Sequence, residues 1–99
     1  MDHWTIEEWE SKQAAEPLAA FYLYTPMCGT CAVASKMLTV IETLHPELAI
    51  GKADLNYVVQ LAEEYKIESV PCLLIHRSGQ PMEKIYAFHS VPYLLEKLS

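Results

Sequence analysis

Ninety-nine residues, 52% of them hydrophobic and 20% charged, are enough to bury one core as a single domain spanning residues 1–99, without disulfide staples or a structural metal. The formal charge of −6, from 13 acidic against 7 basic side chains, disfavours nucleic acid and anionic membranes as partners, since their phosphates would be repelled. No polar or repetitive tract argues for disorder, and no apolar run approaches membrane-spanning length.

Thr5-Ile6-Glu7-Glu8 matches a capping box, so a helix is expected to begin there and to fade before Pro17, leaving only Asp2 to Trp4 for any earlier strand. Leu18 to Tyr24 is a continuous apolar run of strand length with three aromatics, as in a strand buried on both faces. After Cys31, the residues Ala34, Met37, Leu38, Ile41 and Leu44 recur at helical spacing until His45-Pro46. Leu48 to Leu55 alternates as a short strand, and Asn56 offers a cap for a helix carrying Val58, Leu61, Ala62 and Tyr65 and ending near Lys66. Ile67 to Pro71 is an extended linker and Cys72 to His76 a buried strand. Arg77-Ser78-Gly79-Gln80 is a turn that pairs this strand with Met82 to Phe88 as an antiparallel hairpin, and Ser90 caps a last helix through Leu98.

Three cysteines remain for chemistry. Cys28 and Cys31 are three apart where the apolar run gives way to the helical pattern. That spacing closes a small disulfide ring or grips a metal ion, and by itself it leaves both readings open. A thiol near the first turn of a helix meets unpaired N–H groups and the positive end of the helix dipole, which favour the thiolate. An odd number of cysteines behind an N-terminus that lacks a basic segment and an apolar core fits a reducing cytoplasm.

Order, length and motif together resemble the thioredoxin family over nearly the whole chain. The resemblance is carried by Cys28-Gly29-Thr30-Cys31 after a buried strand, by Lys52-Ala53-Asp54-Leu55-Asn56, and by Val70-Pro71 ahead of a strand about forty residues beyond the dithiol. It implies an α/β thioredoxin fold, with a central mixed sheet of four or five strands flanked by helices on both faces. It further implies a thiol-disulfide oxidoreductase that needs no cofactor beyond a redox-active Cys28-Cys31 disulfide. Cys28 would attack a client disulfide and Cys31 would resolve the mixed disulfide. Pro71 would be the cis-proline that sets the Val70 backbone beside the dithiol, and Met27, Gly29 and Thr30 would complete the substrate surface. Disulfide-containing proteins are the expected clients of a monomer recharged by a reductase.

Departures from the family pattern are equally legible. Tyr22 stands where relatives carry a buried acid, Met27 where they carry tryptophan, Lys36 in place of a helix-kinking proline, Ala87 in place of glycine and Cys72 in place of threonine. Lys52 is expected either at a solvated strand end or paired near the thiols, and His45, His76 and His89 are expected in solvent. Cys72 reads as a small buried apolar residue, with a third redox thiol as the alternative. Two other functions compete: a metal or iron-sulfur module built on Cys28 and Cys31, and a thioredoxin-fold interaction module with little turnover.

Overall fold

Seven successive apolar residues cannot be left in water, and their burial on two faces at once sets the layering of the molecule. In the computed structural model, which describes residues 1–99, Leu18–Tyr24 forms β2 at the centre of a five-stranded sheet. The other strands are β1 (Asp2–His3), β3 (Ala49–Asp54), β4 (Cys72–Arg77) and β5 (Glu83–Ile85), in the spatial order β1-β3-β2-β4-β5. β3 lies parallel to both β1 and β2, whereas β4 is antiparallel to β2 and to β5, so the expected mixed sheet is present in its five-stranded form.

Alternation along β2 divides the core. Ala20 and Tyr22 face Leu38 and Ile41 of α2 (Gly29–Leu44) and Leu94 of α4 (Val91–Lys97). Ala19, Phe21 and Leu23 face Trp9 of α1 (Ile6–Ala15) and Leu61 of α3 (Val59–Glu64). Trp4, Trp9 and Phe21 form an aromatic stack with ring centroids 5.1–6.3 Å apart. Gly51 leaves room for it: a Cβ at that position would fall within the Trp4 indole. None of the helices is long and apolar enough to cross a membrane.

The capping box at Thr5 and Glu8 is complete, with bonds of 3.1 Å in both directions, and Ser90 accepts the Tyr93 N–H at the head of α4. Other expectations are corrected. Asn56 caps nothing; Asp54 accepts the Asn56 N–H at 2.9 Å and opens a single 3₁₀ turn, Leu55–Tyr57, before α3 begins without a side-chain cap. α3 closes through Lys66 in the left-handed region (φ 54°), which lets the Ile67 N–H reach the Ala62 carbonyl at 2.9 Å. The second arm of the hairpin is only Glu83–Ile85, because the chain then turns inward and Phe88 packs edge-on against Tyr22, their centroids 6.0 Å apart. His76 is half-buried, since the register of β4 aims it at the α1 side of the sheet with Cys72 and Leu74.

Candidate active site

The site is built where β2 delivers the chain to α2. Cys28 occupies the N-cap position with extended backbone (φ −88°, ψ 108°), and α2 starts at Gly29, so the two cysteines bracket its first turn. An N-cap residue ordinarily offers an oxygen to the orphan N–H groups of that turn. Here the acceptor is sulfur: the Cys31 N–H donates to Cys28 Sγ at 3.2 Å. Thr30 Oγ1 is 3.4 Å from the same sulfur. The first turn contains no acidic side chain to oppose the helix dipole at this point.

The two thiol positions are joined as a disulfide, with Cα atoms 5.3 Å apart. Their surroundings differ. Cys28 is half-buried at the surface, whereas Cys31 is only 4% exposed. The Val70-Pro71 bond is cis, as the resemblance implies, and it brings the Val70 carbonyl oxygen to 3.8 Å from Cys28 Sγ. Met27 stands at 94% exposure beside the dithiol, and Gly29 and Thr30 are also at the surface. A shallow groove lined by Thr30, Val33, Met37, Pro71, Ala87 and Phe88 runs past the pair. All seven residues singled out from the sequence as site residues thus fall in one neighbourhood.

Below the pair lies a residue whose part in the site the sequence does not announce. Tyr22 is fully buried, and its hydroxyl donates to the Cys31 carbonyl oxygen at 2.8 Å. Ser35 Oγ in turn donates to the Tyr22 oxygen at 3.0 Å. Burial pushes the phenol above its ordinary 10.0, against a smaller opposing pull from Ser35. The signal was present as an aromatic in the place of an acid; its partner, nine residues on, was not. Lys52 does not reach the thiols, and its ammonium sits 5.9 Å from the centre of the Tyr24 ring. Tyr24 stacks on Tyr22 and hydrogen-bonds His3 Nε2 at 3.0 Å.

Cys72 is fully buried in the core on the α1 and α3 side. Burial pushes its thiol up to about 12, with Lys84 pulling weakly the other way. That is an inert structural thiol, in keeping with the apolar reading of this position. No group of three or more His, Cys, Asp or Glu side chains is gathered to hold a metal ion.

A disulfide at a helix N-terminus on a mixed five-stranded sheet, flanked by a cis-proline, defines the class of thiol-disulfide oxidoreductases. Comparison with known proteins places the chain within that class. The Thioredoxin family model matches residues 2–98. The thioredoxin-like protein YusE of Bacillus subtilis (strain 168) is 46% identical over 91 residues, which is 92% of this chain and 86% of that protein. An H-type thioredoxin of Fagopyrum esculentum is 32% identical over 85 residues, covering 82% and 73% of the two chains. Among solved structures, oxidised mitochondrial thioredoxin 3 of Saccharomyces cerevisiae superposes with a TM-score of 0.85 at 19% identity, over 99% of this chain and 92% of that one. The chain belongs to the thioredoxin family. It is a protein-disulfide oxidoreductase whose redox group is its own disulfide, in a family that acts on disulfide clients and is recharged by a reductase.

Proposed function

We propose that the chain reduces disulfides in partner proteins, with Cys28 as the attacking thiol and Cys31 as the resolver. The observation that carries this reading is the asymmetry of the pair. Cys28 Sγ is reachable from solvent and sits on a helix N–H that would also stabilise its thiolate, while Cys31 is covered one turn further in. In the first step the Cys28 thiolate attacks one sulfur of the client disulfide, a Cys28–client bond forms, and the other client sulfur leaves as a thiolate. In the second, the Cys31 thiolate attacks Cys28 Sγ, the Cys28–client bond breaks, and the Cys28-Cys31 disulfide forms. Two electrons pass to the client, whose two sulfurs end as thiols once protonated.

Met27, Gly29, Thr30, Val70 and Pro71 form the docking surface in this reading. The Val70 backbone, already beside Cys28 Sγ, is the group that an extended client segment would pair with. The protein acts as a monomer in the cytoplasm, in an electron-transport chain that runs from a reductase through the dithiol to the client. The test is Cys31→Ser: it is expected to hold clients as a stable mixed disulfide mapped by mass spectrometry to Cys28. Capture on any other residue, or no capture together with failure of the native protein to reduce a model disulfide, would contradict the assignment.

A further inference from the structure

The resolving step demands more of position than the first attack does. Cys31 must meet Cys28 Sγ in line with the client sulfur, from a buried site, and small displacements of its backbone would disalign the attack. Besides Cys28 Sγ itself, one side chain from outside α2 hydrogen-bonds this backbone: the Tyr22 hydroxyl of β2, on the Cys31 carbonyl oxygen at 2.8 Å. The ring behind that hydroxyl is itself fixed, stacked on Tyr24 with centroids 5.7 Å apart and met edge-on by Phe88 at 6.0 Å.

The hydrogens of this cluster can be assigned. A phenol has one proton to give, and here it goes to the Cys31 carbonyl. Its oxygen accepts from Ser35 Oγ at 3.0 Å, so the direction of both bonds is set: serine to tyrosine to carbonyl. Such a phenol is a donor and is not placed to take a proton from the Cys31 thiol. Burial keeps it in the neutral form that donates.

We propose that Tyr22, held by Ser35, is a positioning residue for the resolving cysteine, anchoring Cys31 on β2 so that the second thiol–disulfide exchange is fast relative to the first. The proposal rests on Cys28 as attacker and Cys31 as resolver. Cys28 Sγ hydrogen-bonds neither Tyr22 nor Ser35; its hydrogen-bond neighbours are the Cys31 N–H, Thr30 Oγ1 and the Val70 carbonyl. The first attack is therefore largely spared when the tether is cut. A phenol satisfied only for its own sake would stabilise the fold and leave the ratio of the two steps alone.

The experiment is rapid-quench, single-turnover reduction of a model protein disulfide by the reduced protein, with the Cys28 mixed disulfide and the released product followed by mass. In Tyr22→Phe, loss of one buried donor is expected to slow resolution about tenfold and attack by less than about twofold, so that mixed disulfide accumulates. Ser35→Ala is expected to slow resolution about threefold, and Ser35→Thr, which keeps the hydroxyl, to restore it. Equal slowing of both steps in Tyr22→Phe, or no change in either, overturns the proposal. If Tyr22→Phe does not fold, Ser35→Ala decides, and an unchanged resolution rate there overturns it. Cys31→Ser run alongside separates the two levels: failure to trap a client on Cys28 removes the role assignment, whereas trapping with an unchanged Tyr22→Phe ratio removes only the tether.

Discussion

Cys28 and Cys72 lie at the same end of the sheet, linked through Val70 and the cis-proline, yet they are opposite kinds of thiol. Cys28 caps a sixteen-residue helix, receives a backbone N–H at 3.2 Å and is half-exposed at the surface. Cys72 begins a central strand, is fully buried among apolar side chains and has its thiol pushed up to about 12. Nothing intrinsic to cysteine separates them. What differs is desolvation and the supply of donors, which together decide whether the charged form of sulfur is tolerated.

Four experiments test that contrast, beginning with the largest effect. Cys28→Ser removes the proposed nucleophile and is expected to abolish disulfide reduction in a turnover assay with a thiol reductant, a loss of several orders of magnitude. In the reduced native protein at neutral pH, iodoacetamide is expected to label Cys28 first. Cys72 should react at least about a hundredfold more slowly, because it must wait for the structure to open; peptide mapping after timed quenching checks this. Cys72→Ala trims a filled core and should cost about 1–2 kcal/mol in denaturant unfolding while turnover stays within about twofold.

The fourth test is read in alkaline stability. With its thiol raised from 9.0 to about 12 in the folded protein, Cys72 is protonated in both states below pH 9.0, and its contribution is whole there. Between those values the unfolded chain sheds the proton and the folded one keeps it, so stability falls as pH rises. Cys72→Val is expected to flatten that limb in pH-dependent thermal melts. A residual slope above pH 10.0 should remain from Tyr22, whose phenol burial also raises.

How much of this was legible in the sequence follows from what kind of interaction each feature rests on. The central strand, the long helix after the dithiol, the capping box at Thr5 and Glu8 and the Ser90 cap are local patterns, and each stands where the residues put it. The cis bond before Pro71 and the cluster around Cys28 and Cys31 were implied by family resemblance, and the geometry agrees. β1 is only two residues long and exists because β3 offers it an edge, so Asp2 and His3 carry no signal of their own. Asn56 has good cap chemistry, but Asp54 two residues earlier takes its N–H and a 3₁₀ turn intervenes. Lys52 was open to pairing near the thiols, yet the neighbouring Tyr24 ring offers the nearer resting place for its charge. The Tyr22 tether depends on a contact between a strand and the first turn of a helix, and that is a fact of packing alone.

The most direct test of the account is the redox equilibrium of the whole protein against glutathione or dithiothreitol buffers, read by mass after acid quench and alkylation. One reversible two-electron transition confined to Cys28 and Cys31 is expected, with Cys72 reduced throughout and a midpoint at or below the cytosolic glutathione poise of about −220 to −260 mV. A midpoint far more oxidising than that pool, or a transition that draws in Cys72, would contradict a reductant built on one exposed and one sheltered thiol.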